Sequence, residues 1–581
     1  MIHSEFSAMG SSITKAVRWC TLLLAVIVIA GASVTKAQTI APAPGPRIFF
    51  TDLTSGPNGG GENVSGFAGA YVTVYGNNFG ATQGSSTITW NGLNCLRVVS
   101  WGTSYLWYQK IVVQVGSSCS PGTGSFVVTV NGQASTAVRE NISGGTQIPS
   151  QFTVRSTGNI HCVSTSGNDN NPGTFSGGCW ATIVKGRQIS AGDVTYVENG
   201  VSQTATDGFA SLTANGTGTA ANPITLAVYP GATATIGATS GNDGIRFCTG
   251  YSACSSGGSY WIIAGFILRG SNAAISISNG TGNLRFVGND ISCPNGDGST
   301  ACVTSNQSSF TFLYGNHVHD AGKSTSVKTY HAVYLSTDLN HNWLGWNSVH
   351  NVLGCRGIQF YSTGGSDQFD LHVHDNLVHD VRCDGINFAT VNPNNGTVEA
   401  YNNVIYNAGQ GPDPVDGGSV YTCMRGSSGG TTVPIEVYNN TMYNCGSIKN
   451  SAAGVFDFNN AITRFRNNII FQTAGETYTL NTTCPSYSGS NNLWYGVGAP
   501  PCTLTGDLNV DPQLTNPAGA NFQLLSVSSP PNGAGIAISG LTSDFAGLLH
   551  PSPPSIGAYE FTSATAAALP APPTNLIVVV Q

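Results

Sequence analysis

One short pattern, repeated at long intervals, limits what this chain can fold into. The pattern is Asn, any residue, an aliphatic residue, His or an aromatic residue, and then Asp or Asn, with some variation. It begins at seven asparagines: Asn289, Asn316, Asn347, Asn376, Asn403, Asn440 and Asn468. The intervals are 27, 31, 29, 27, 37 and 28 residues. A repeat of this length is typical of one coil of a solenoid, and the uneven intervals indicate loops of variable length.

A second strand pattern recurs between the asparagine units. It reads "HAVYL" at 331–335, "RGIQF" at 356–360, "DGINF" at 384–388 and "GGSVY" at 417–421. Each coil therefore contains several short strands, and equivalent strands are expected to stack into parallel sheets. The asparagines are expected at a buried corner, where each amide bonds to the next amide and to turn backbone.

The repeats resemble those of the right-handed parallel β-helix family with pectate-lyase-like repeats. Two further stretches carry the resemblance: "VSTSGNDNNPGT" (163–174) is similar to the opening of secreted β-helix proteins. "VDPQLTNPAGANFQLLSVSSPP" (510–531) with "SIGAYEF" (555–561) is similar to their ending. The resemblance implies a β-helix over 156–561. That fold is used by lyases, hydrolases, epimerases and adhesins, so the activity depends on the site.

Residues 44–155 read as short alternating strands separated by Gly, Ser and Asn turns, which predicts an antiparallel sandwich. The stretches "YVTVYGNNFG" (71–80) and "GSFVVTVNG" (124–132) resemble an IPT/TIG immunoglobulin-like domain. That resemblance implies a spacer or binding module. The predicted fold class is therefore all-β, with an immunoglobulin-like sandwich followed by a right-handed parallel β-helix. Residues 562–581 are expected to be a linker or tail.

Residues 1–37 are predicted to be a signal peptide. Lys15 and Arg18 precede the apolar run "TLLLAVIVIAGA", and small residues allow cleavage after Ala37. We expect export to the extracellular space or cell surface, with no stable membrane insertion after cleavage. The run is short for a membrane span, and a retained anchor is the alternative. The chain is 8% charged with a formal net charge of −7 and has no basic patch, which argues against a nucleic-acid partner. A monomer is expected.

Export makes the cysteines interpretable as disulfides. Cys20 lies in the predicted signal, and the other 14 fall into local couples. The couples are Cys95/Cys119, Cys162/Cys179, Cys248/Cys254, Cys293/Cys302, Cys355/Cys383, Cys423/Cys445 and Cys484/Cys502. Their spacing does not match a zinc motif.

The stretches "CRGIQFY" (355–361) and "CDGINFA" (383–389) share one frame and are expected to be neighbouring strands. Stacked strands lie about 4.8 Å apart, which suits a disulfide between their cysteines. The residues that begin the strands form a column of three ionisable groups on consecutive coils: His331, Arg356 and Asp384. Such a column is a candidate site.

The residue types in this column fit β-elimination from a uronate. That reaction needs a cation to hold the carboxylate and a base near the sugar proton. Arg356 is the expected clamp, with Lys328 or His331 as the base. Three neighbouring residues are expected to face outward and bind substrate: Tyr334, Gln359 and Asn387. The alternative interpretation is structural, because strict alternation turns the column inward, where Arg356 and Asp384 would form a buried ion pair.

A second column stands four residues before each asparagine. Its members are Phe312, Trp343, His372, Glu399, Glu436 and Arg464. Trp343 is expected to stack on a sugar. Glu399 and Glu436 are expected on adjacent coils, near the carboxylate spacing of a retaining glycosidase, and are the alternative catalytic pair.

Metal binding is left open by the sequence. His319, His350 and His379 share a column that continues as Tyr and Phe, which favours packing over a metal site. Asp320, Asp338 and Asp380 are candidate calcium ligands, although acids at turns are usually structural. Compared with the calcium cluster of family-nine pectate lyases, "CDGIN" has Asn387 where a second acid would be, which counts against a calcium-assisted mechanism.

These observations predict a secreted carbohydrate-active protein. The favoured function is a polysaccharide lyase acting on an acidic polysaccharide. The alternatives are a glycoside hydrolase on the same fold and a non-catalytic polysaccharide-binding or adhesion protein on the cell surface.

Overall fold

The computed structural model describes most of the chain after residue 43. The described residues are 44–142, 145–208, 210–214, 216–247, 257–277, 280–337, 340–362, 368–417, 422–427, 431–446, 454–457, 462–472, 477–479, 487–496, 499–500 and 502–563. The predicted signal segment and residues 564–581 of the predicted tail lie outside them. Residues 39–581 belong to one compact unit. Within the described part, no helix has both the length and the apolar character needed to cross a bilayer.

The repeat region forms a right-handed parallel β-helix with three long sheets, as predicted. Sheet I contains Ile160–Val163, Val194–Val197, Ile224–Val228, Trp261–Ala264, Gly282–Val287, Ser309–Tyr314, Asn340–Gly345, Phe369–His374, Val398–Tyr401, Ile435–Tyr438, Thr463–Arg466 and Tyr487–Ser490. Sheet II contains Ser202–Gln203, Thr235–Ile236, Ile267–Arg269, Asp290–Cys293, His317–Ala321, Ser348–Val352, Leu377–Val381, Val404–Ala408, Thr441–Tyr443, Ile469–Phe471, Leu493–Tyr495 and Leu508–Asn509. Sheet III contains Leu212–Ala214, Ile245–Phe247, Ile275–Ile277, Ala301–Asn306, His331–Ser336, Ile358–Tyr361, Ile386–Ala389, Met424–Ser427, Gly454–Asp457 and Thr477–Thr479.

The preceding region is an antiparallel sandwich of two sheets. One sheet runs in the order Leu96–Tyr105, Tyr108–Val115, Tyr71–Asn77, Arg47–Thr51, Thr136–Ala137. The other runs in the order Ser55–Pro57, Gln151–Arg155, Gly122–Val130, Thr87–Trp90, with Gln133–Ala134 added to Gly122–Val130. Small elements complete the described structure: the hairpin Glu140–Ile142/Gly145–Gln147, the helix Ile183–Gly186, the pair Leu514–Asn516/Asn521–Leu524 and the 3-10 turn Pro517–Gly519.

The asparagine column lies at the corner between sheets I and II. Each side-chain amide donates to the side-chain oxygen of the next coil's asparagine; from Asn289 to Asn316 the distance is 3.0 Å. The same oxygen accepts the preceding asparagine's backbone N–H at 3.1 Å. The column continues past the predicted members to Asn492 and ends on Asp507. Each buried amide is thus satisfied by its copy one coil away, which explains the repeat.

The sandwich packs against the outer face of sheet I. The ring of Phe50 packs at a tilt against Trp346 with centroids 5.1 Å apart, and the Tyr108 hydroxyl donates to the Trp346 carbonyl at 3.1 Å. Arg285 of sheet I donates to the carbonyl oxygens of Thr51 and Pro149. Apolar and polar contacts together therefore hold the two regions in one arrangement.

The predicted disulfides are confirmed wherever both cysteines are described. These pairs are Cys95–Cys119, Cys162–Cys179, Cys293–Cys302, Cys355–Cys383 and Cys423–Cys445. The predicted pairs involving Cys248, Cys254 and Cys484 lie outside the described residues. The Cα atoms of Cys355 and Cys383 are 4.8 Å apart, so this bond links adjacent coils.

Candidate functional site

The column predicted from the two related stretches lies at the edge of sheet III. Hydrogen-bonded pairing places Val333, Ile358 and Ile386 beside one another in successive strands, with side chains in the interior. His331, Arg356 and Asp384 lie two residues before these positions, where the chain enters the sheet. The register of the strands therefore brings the three groups onto neighbouring coils.

Asp384 holds Arg356 from one side. The Nε of Arg356 donates to Asp384 Oδ2 at 2.8 Å, and the hydroxyl of Thr422 donates to Asp384 Oδ1 at 2.9 Å. Asp384 is fully buried, whereas the Arg356 side chain keeps 14% of its surface exposed. Among the described residues, Nε is the only nitrogen of the Arg356 side chain that makes a hydrogen bond. The ion pair therefore fixes the guanidinium through Nε, and its two outer nitrogens make no hydrogen bond to the described part of the chain.

His331 lies beneath this pair with 1% of its surface exposed. Its Nδ1 accepts the backbone N–H of Arg356 at 3.4 Å. Burial, together with the positive charge of Arg356, lowers the pKa of His331 well below its ordinary value. The imidazole is therefore neutral at physiological pH and shielded from solvent, and the interior orientation matches the structural interpretation of this residue.

The predicted substrate-binding residues of sheet III point away from the interior, as expected, but differ in exposure. Tyr334, Gln359 and Asn387 are direct strand neighbours. The Asn387 amide donates to Gln359 Oε1 at 3.1 Å, and both side chains are buried. Tyr334 is half-buried; burial and the neighbouring Tyr361 raise its pKa, with Ser336 and Arg356 acting in the opposite direction. The accessible part of this face therefore centres on Tyr334, Tyr361 and Arg356.

Lys328 lies in the loop that leads into the same strand. It is half-buried, and its backbone N–H donates to Asp416 Oδ1 at 2.8 Å. Two residues later, the carbonyl of Tyr330 accepts the backbone N–H of Cys355 at 2.7 Å. Lys328 therefore lies on a loop whose next residues are hydrogen-bonded to Cys355, the residue before Arg356.

On sheet I, the predicted column of residues four positions before each asparagine forms, but several of its side chains are buried. Trp343 is 2% exposed. Its ring is stacked between Phe312, with centroids 4.8 Å apart, and His372, with centroids 5.2 Å apart. Both faces of the indole are therefore occupied by the column itself, which corrects the expectation that Trp343 presents a face to a sugar.

Glu399 and Glu436 are neighbours on sheet I, as predicted, and each has its own partners. Glu399 is hydrogen-bonded to His372 and to the Tyr438 hydroxyl, both at 2.7 Å. Burial alone would raise its pKa, but these bonds and the His372 charge outweigh it, so the pKa is lowered. Glu436 is contacted by Arg464 at 2.9 Å and by a second arginine, yet burial raises its pKa. pKa shifts in opposite directions suit a pair of carboxyl groups that act as acid and base, whereas the ion pairs of Glu436 suit a structural role.

A cavity lies between the sandwich and sheet I, next to Phe312 at the start of this column. Its volume is about 380 Å³, which is within the range of small-ligand pockets. The wall from the sandwich is polar and includes Gln147, Gln151 and Thr153, and the wall from sheet I includes Tyr260 and Phe312. Amide and hydroxyl groups facing aromatic rings are chemically suited to a saccharide. The hollow beside Glu399 and Tyr438 holds only about 20 Å³, which is room for one water.

The histidine column on sheet II is confirmed as a stack. His350 and His379 are parallel with centroids 4.8 Å apart, and His379 stacks on Tyr406 at 4.6 Å. Two residues that the sequence reasoning missed contact the first histidines of this column. Asp290 contacts His319, and His317 contacts His350. Each of them directly follows an asparagine of the repeated pattern and the two are partners in adjacent strands. The residue after each asparagine is therefore the sequence signal that could have identified them.

Charges in this group influence one another strongly. Burial alone would raise the pKa of Asp290, but bonds from His317 and His319 and the nearby Arg269 outweigh it and lower the pKa. Burial alone would lower the pKa of His319, but its bonds to Asp290 and Asp320 raise the pKa to about 9. These side chains form one coupled network on the sheet surface.

The residues proposed for calcium do not form a calcium site among the described residues. Both oxygens of Asp384 are engaged by Arg356 and Thr422, and Asp320 and Asp380 are bound to the histidines that precede them. Asp338 lies outside the described residues. Ca²⁺ requires six to eight oxygen ligands, and these carboxylates do not converge.

The similarity of this chain to known proteins lies in the path of its backbone. No protein-family model and no curated protein matches this sequence. Among solved structures, pectate lyase Pel9A is 13% identical, with 69% of this chain and 96% of that chain covered and a TM-score of 0.48. XylC in complex with xylose is 10% identical, covering 70% and 98% at a TM-score of 0.41. An alginate lyase from Paenibacillus sp. str. FPU-7 is 15% identical, covering 52% and 92% at 0.33.

Proposed function

We propose that this protein is an exported carbohydrate-active enzyme that cleaves an acidic polysaccharide by β-elimination at the outer face of sheet III. The observation that carries the proposal is the Arg356 guanidinium, held at Nε by buried Asp384 while Nη1 and Nη2 make no hydrogen bond to the described residues. A planar fork of this kind matches the two oxygens of a uronate carboxylate. The five described disulfides fit folding in an oxidising compartment.

The proposed division of roles follows from burial. Arg356 holds the sugar carboxylate and stabilises the negative charge that develops when the base removes the neighbouring C–H proton. The electron pair of that bond forms the C=C bond of the unsaturated uronate and breaks the C–O bond to the glycosidic oxygen, which leaves and takes a proton from solvent. Lys328 is the favoured base, because it is partly exposed, whereas His331 is buried and its Nδ1 accepts a backbone hydrogen bond. Tyr334 flanks the guanidinium and is the proposed contact for the sugar ring, and Gln359 and Asn387 support the floor beneath it.

The test is a panel of acidic and neutral polysaccharides, read by absorbance at 235 nm for unsaturated uronates and by release of reducing ends. We expect both signals to rise together on an acidic substrate. Arg356→Ala should lower kcat/KM about a hundredfold or more, and Lys328→Ala should lower kcat and alter the pH profile. Lys323→Ala, on the same loop and 45% exposed, is the matched control and should retain activity.

Two outcomes would remove the proposal. One is full turnover by a folded Arg356→Ala variant, which would leave the Arg356–Asp384 pair with a structural role. The other is release of reducing ends without absorbance at 235 nm, which indicates hydrolysis and directs attention to Glu399 and Glu436.

A second candidate function, non-catalytic polysaccharide binding, is favoured by the cavity between the sandwich and sheet I. It has a volume of about 380 Å³ and combines amide and hydroxyl groups with Phe312. In this alternative, Phe312→Ala and Gln151→Ala weaken retention on an immobilised polysaccharide, while Arg356→Ala does not. The two variant sets therefore separate binding at sheet I from turnover at sheet III.

A further inference from the structure

Sheet II carries a compact set of metal-ligating side chains outside the sites considered above. Asp290 and His317 are direct partners in adjacent strands, and His319 lies two residues further along on the same face. Their positions are set by the regular ladder of the β-helix, so the backbone beneath them is rigid. Rigid strands are the kind of support that a metal site needs.

The donor atoms of this set are close to one another. His317 Nδ1 lies 3.2 Å from Asp290 Oδ2, and His319 Nε2 lies 3.2 Å from Asp290 Oδ1. All three ligand atoms lie within 4.8 Å of one another, the one such group within the described residues. Around a tetrahedral Zn²⁺ with bonds of about 2.0–2.2 Å, ligand atoms are separated by roughly 3.3 Å. Small side-chain rotations would therefore bring these donors to one ion.

The outer contacts orient both histidines. His319 Nδ1 lies 2.7 Å from Asp320 Oδ2, and His317 Nε2 lies 2.7 Å from His350 Nε2. A metal ion would replace the proton on His319 Nε2, which lies 3.2 Å from Asp290 Oδ1, while Nδ1–H continues to donate to Asp320. A carboxylate partner on the far nitrogen is the usual support of a metal-binding histidine.

Access and competition are both visible at Asp290. Its side chain is 36% exposed, and those of His317 and His319 are 14% and 17% exposed, so an ion can enter from solvent. Arg269 contacts Asp290 Oδ1 at 2.5 Å. Coordination through Oδ2 leaves Oδ1 paired with Arg269, which lowers the affinity but keeps the carboxylate oriented.

We propose that Asp290, His317 and His319 form a binding site for a divalent metal ion of borderline softness, with Zn²⁺ as the preferred ion. Two imidazole nitrogens and one carboxylate oxygen are a zinc-type donor set, while Ca²⁺ and Mg²⁺ prefer oxygen alone. Three protein ligands leave a fourth position for water or for an oxygen of a ligand. The site is independent of the polysaccharide chemistry proposed for sheet III.

The chain contains its own control for this site. His379 and Asp380 repeat the His319–Asp320 pair two coils away, with Nδ1 and Oδ2 2.8 Å apart. The positions equivalent to Asp290 and His317 around that pair are Ser348 and Leu377, so His379 lacks both companion ligands. A metal that recognises the proposed site should therefore ignore this copy.

The experiment is calorimetric titration of ZnCl₂ into untagged, chelator-treated full-length protein, with CaCl₂ as the comparison. We expect one saturable Zn²⁺ site, no heat from Ca²⁺ at this site, and a rise in Tm with Zn²⁺. His319→Gln and Asp290→Asn should each weaken Zn²⁺ binding a hundredfold or more, Asp320→Asn about tenfold, and His379→Gln not at all. Circular dichroism confirms that each variant is folded. Absence of saturable binding, or equal binding by wild type and His319→Gln, would overturn the proposal.

Discussion

The outer faces of sheets I and III are built from the same repeat and have opposite environments. On sheet I, the sandwich supplies Phe49, Phe50 and Tyr108 against Trp346, and the face becomes an internal interface. None of the described hydrogen bonds of the sandwich reaches sheet III, where a fixed arginine stands at the strand edge. An outward-pointing side chain is therefore a surface residue only where no other part of the chain covers it.

The largest expected effect is on the covered face. Trp346→Ala removes a 1% exposed indole from the aromatic cluster between the sandwich and sheet I and should lower the free energy of unfolding by about 3–5 kcal/mol. Tyr361→Ala, at a half-buried outward position of sheet III, should cost about 1 kcal/mol. Urea unfolding followed by tryptophan fluorescence and circular dichroism measures both. Equal losses would mean that the two faces are packed alike.

The next largest expected effect is the loss of stability when the disulfide at the edge of sheet III is removed. Replacing Cys355 and Cys383 together by Ser should cost about 3.5 kcal/mol in the chain-entropy model, because the bond closes a 28-residue loop. The same change at Cys293 and Cys302, which closes 9 residues, should cost about 2.5 kcal/mol. The first pair should also reduce turnover, since it pins the strand edge beside Arg356. Peptide mapping that finds free thiols at 355 and 383 in exported protein contradicts the premise.

The covered face should also respond to pH. His374 is fully buried, 2.9 Å from Asp375 and 3.0 Å from Glu140 of the sandwich, the latter contact lying off the hydrogen-bond axis. Burial alone would lower its pKa, but the two carboxylates outweigh it and raise the pKa to about 9. A pKa raised on folding stabilises the native state fully below about pH 6.5, and this contribution disappears as the pH rises through 9.

The difference in unfolding free energy between wild type and His374→Gln should therefore be on the order of 2 kcal/mol at pH 6 and much smaller at pH 9.5. Denaturant unfolding at the two pH values measures it. Subtracting the variant removes the contributions of titrating groups that do not contact His374, so the remaining difference belongs to His374 together with Asp375 and Glu140. A difference that does not change with pH would show that His374 is neutral in the interface.

The smallest expected effect separates the two catalytic alternatives. If turnover occurs at sheet III, Glu399→Gln and Glu436→Gln should change kcat/KM by less than about twofold, because the enzyme would use these groups only to support sheet I. Initial rates on the substrate that wild type cleaves provide the measurement. A loss of a thousandfold or more in either variant would assign the reaction to sheet I.

The fold could be predicted far better than the exposure of the candidate residues. The asparagine intervals led to the stacked coils, and local cysteine spacing led to the disulfides that are described. Asn492 was missed because "NLWYG" has Trp494 where the pattern has an aliphatic residue, and because its interval of 24 residues is shorter than the others. The alternation of strand residues also placed Glu399 beside Glu436 and Gln359 beside Asn387 correctly.

The sequence by itself determined the β-helix, its corner amides and which side chains point outward, because these depend on a period that repeats along the chain. Only the tertiary structure decided what covers each face. Trp343 is buried in a stack, Asp384 is buried behind Arg356, and Asp290 meets His317 and His319 on the surface of sheet II. Such contacts depend on side-chain rotamers and on the packing of the sandwich against sheet I. Neither leaves a periodic signal, so neither could be derived from the repeat alone.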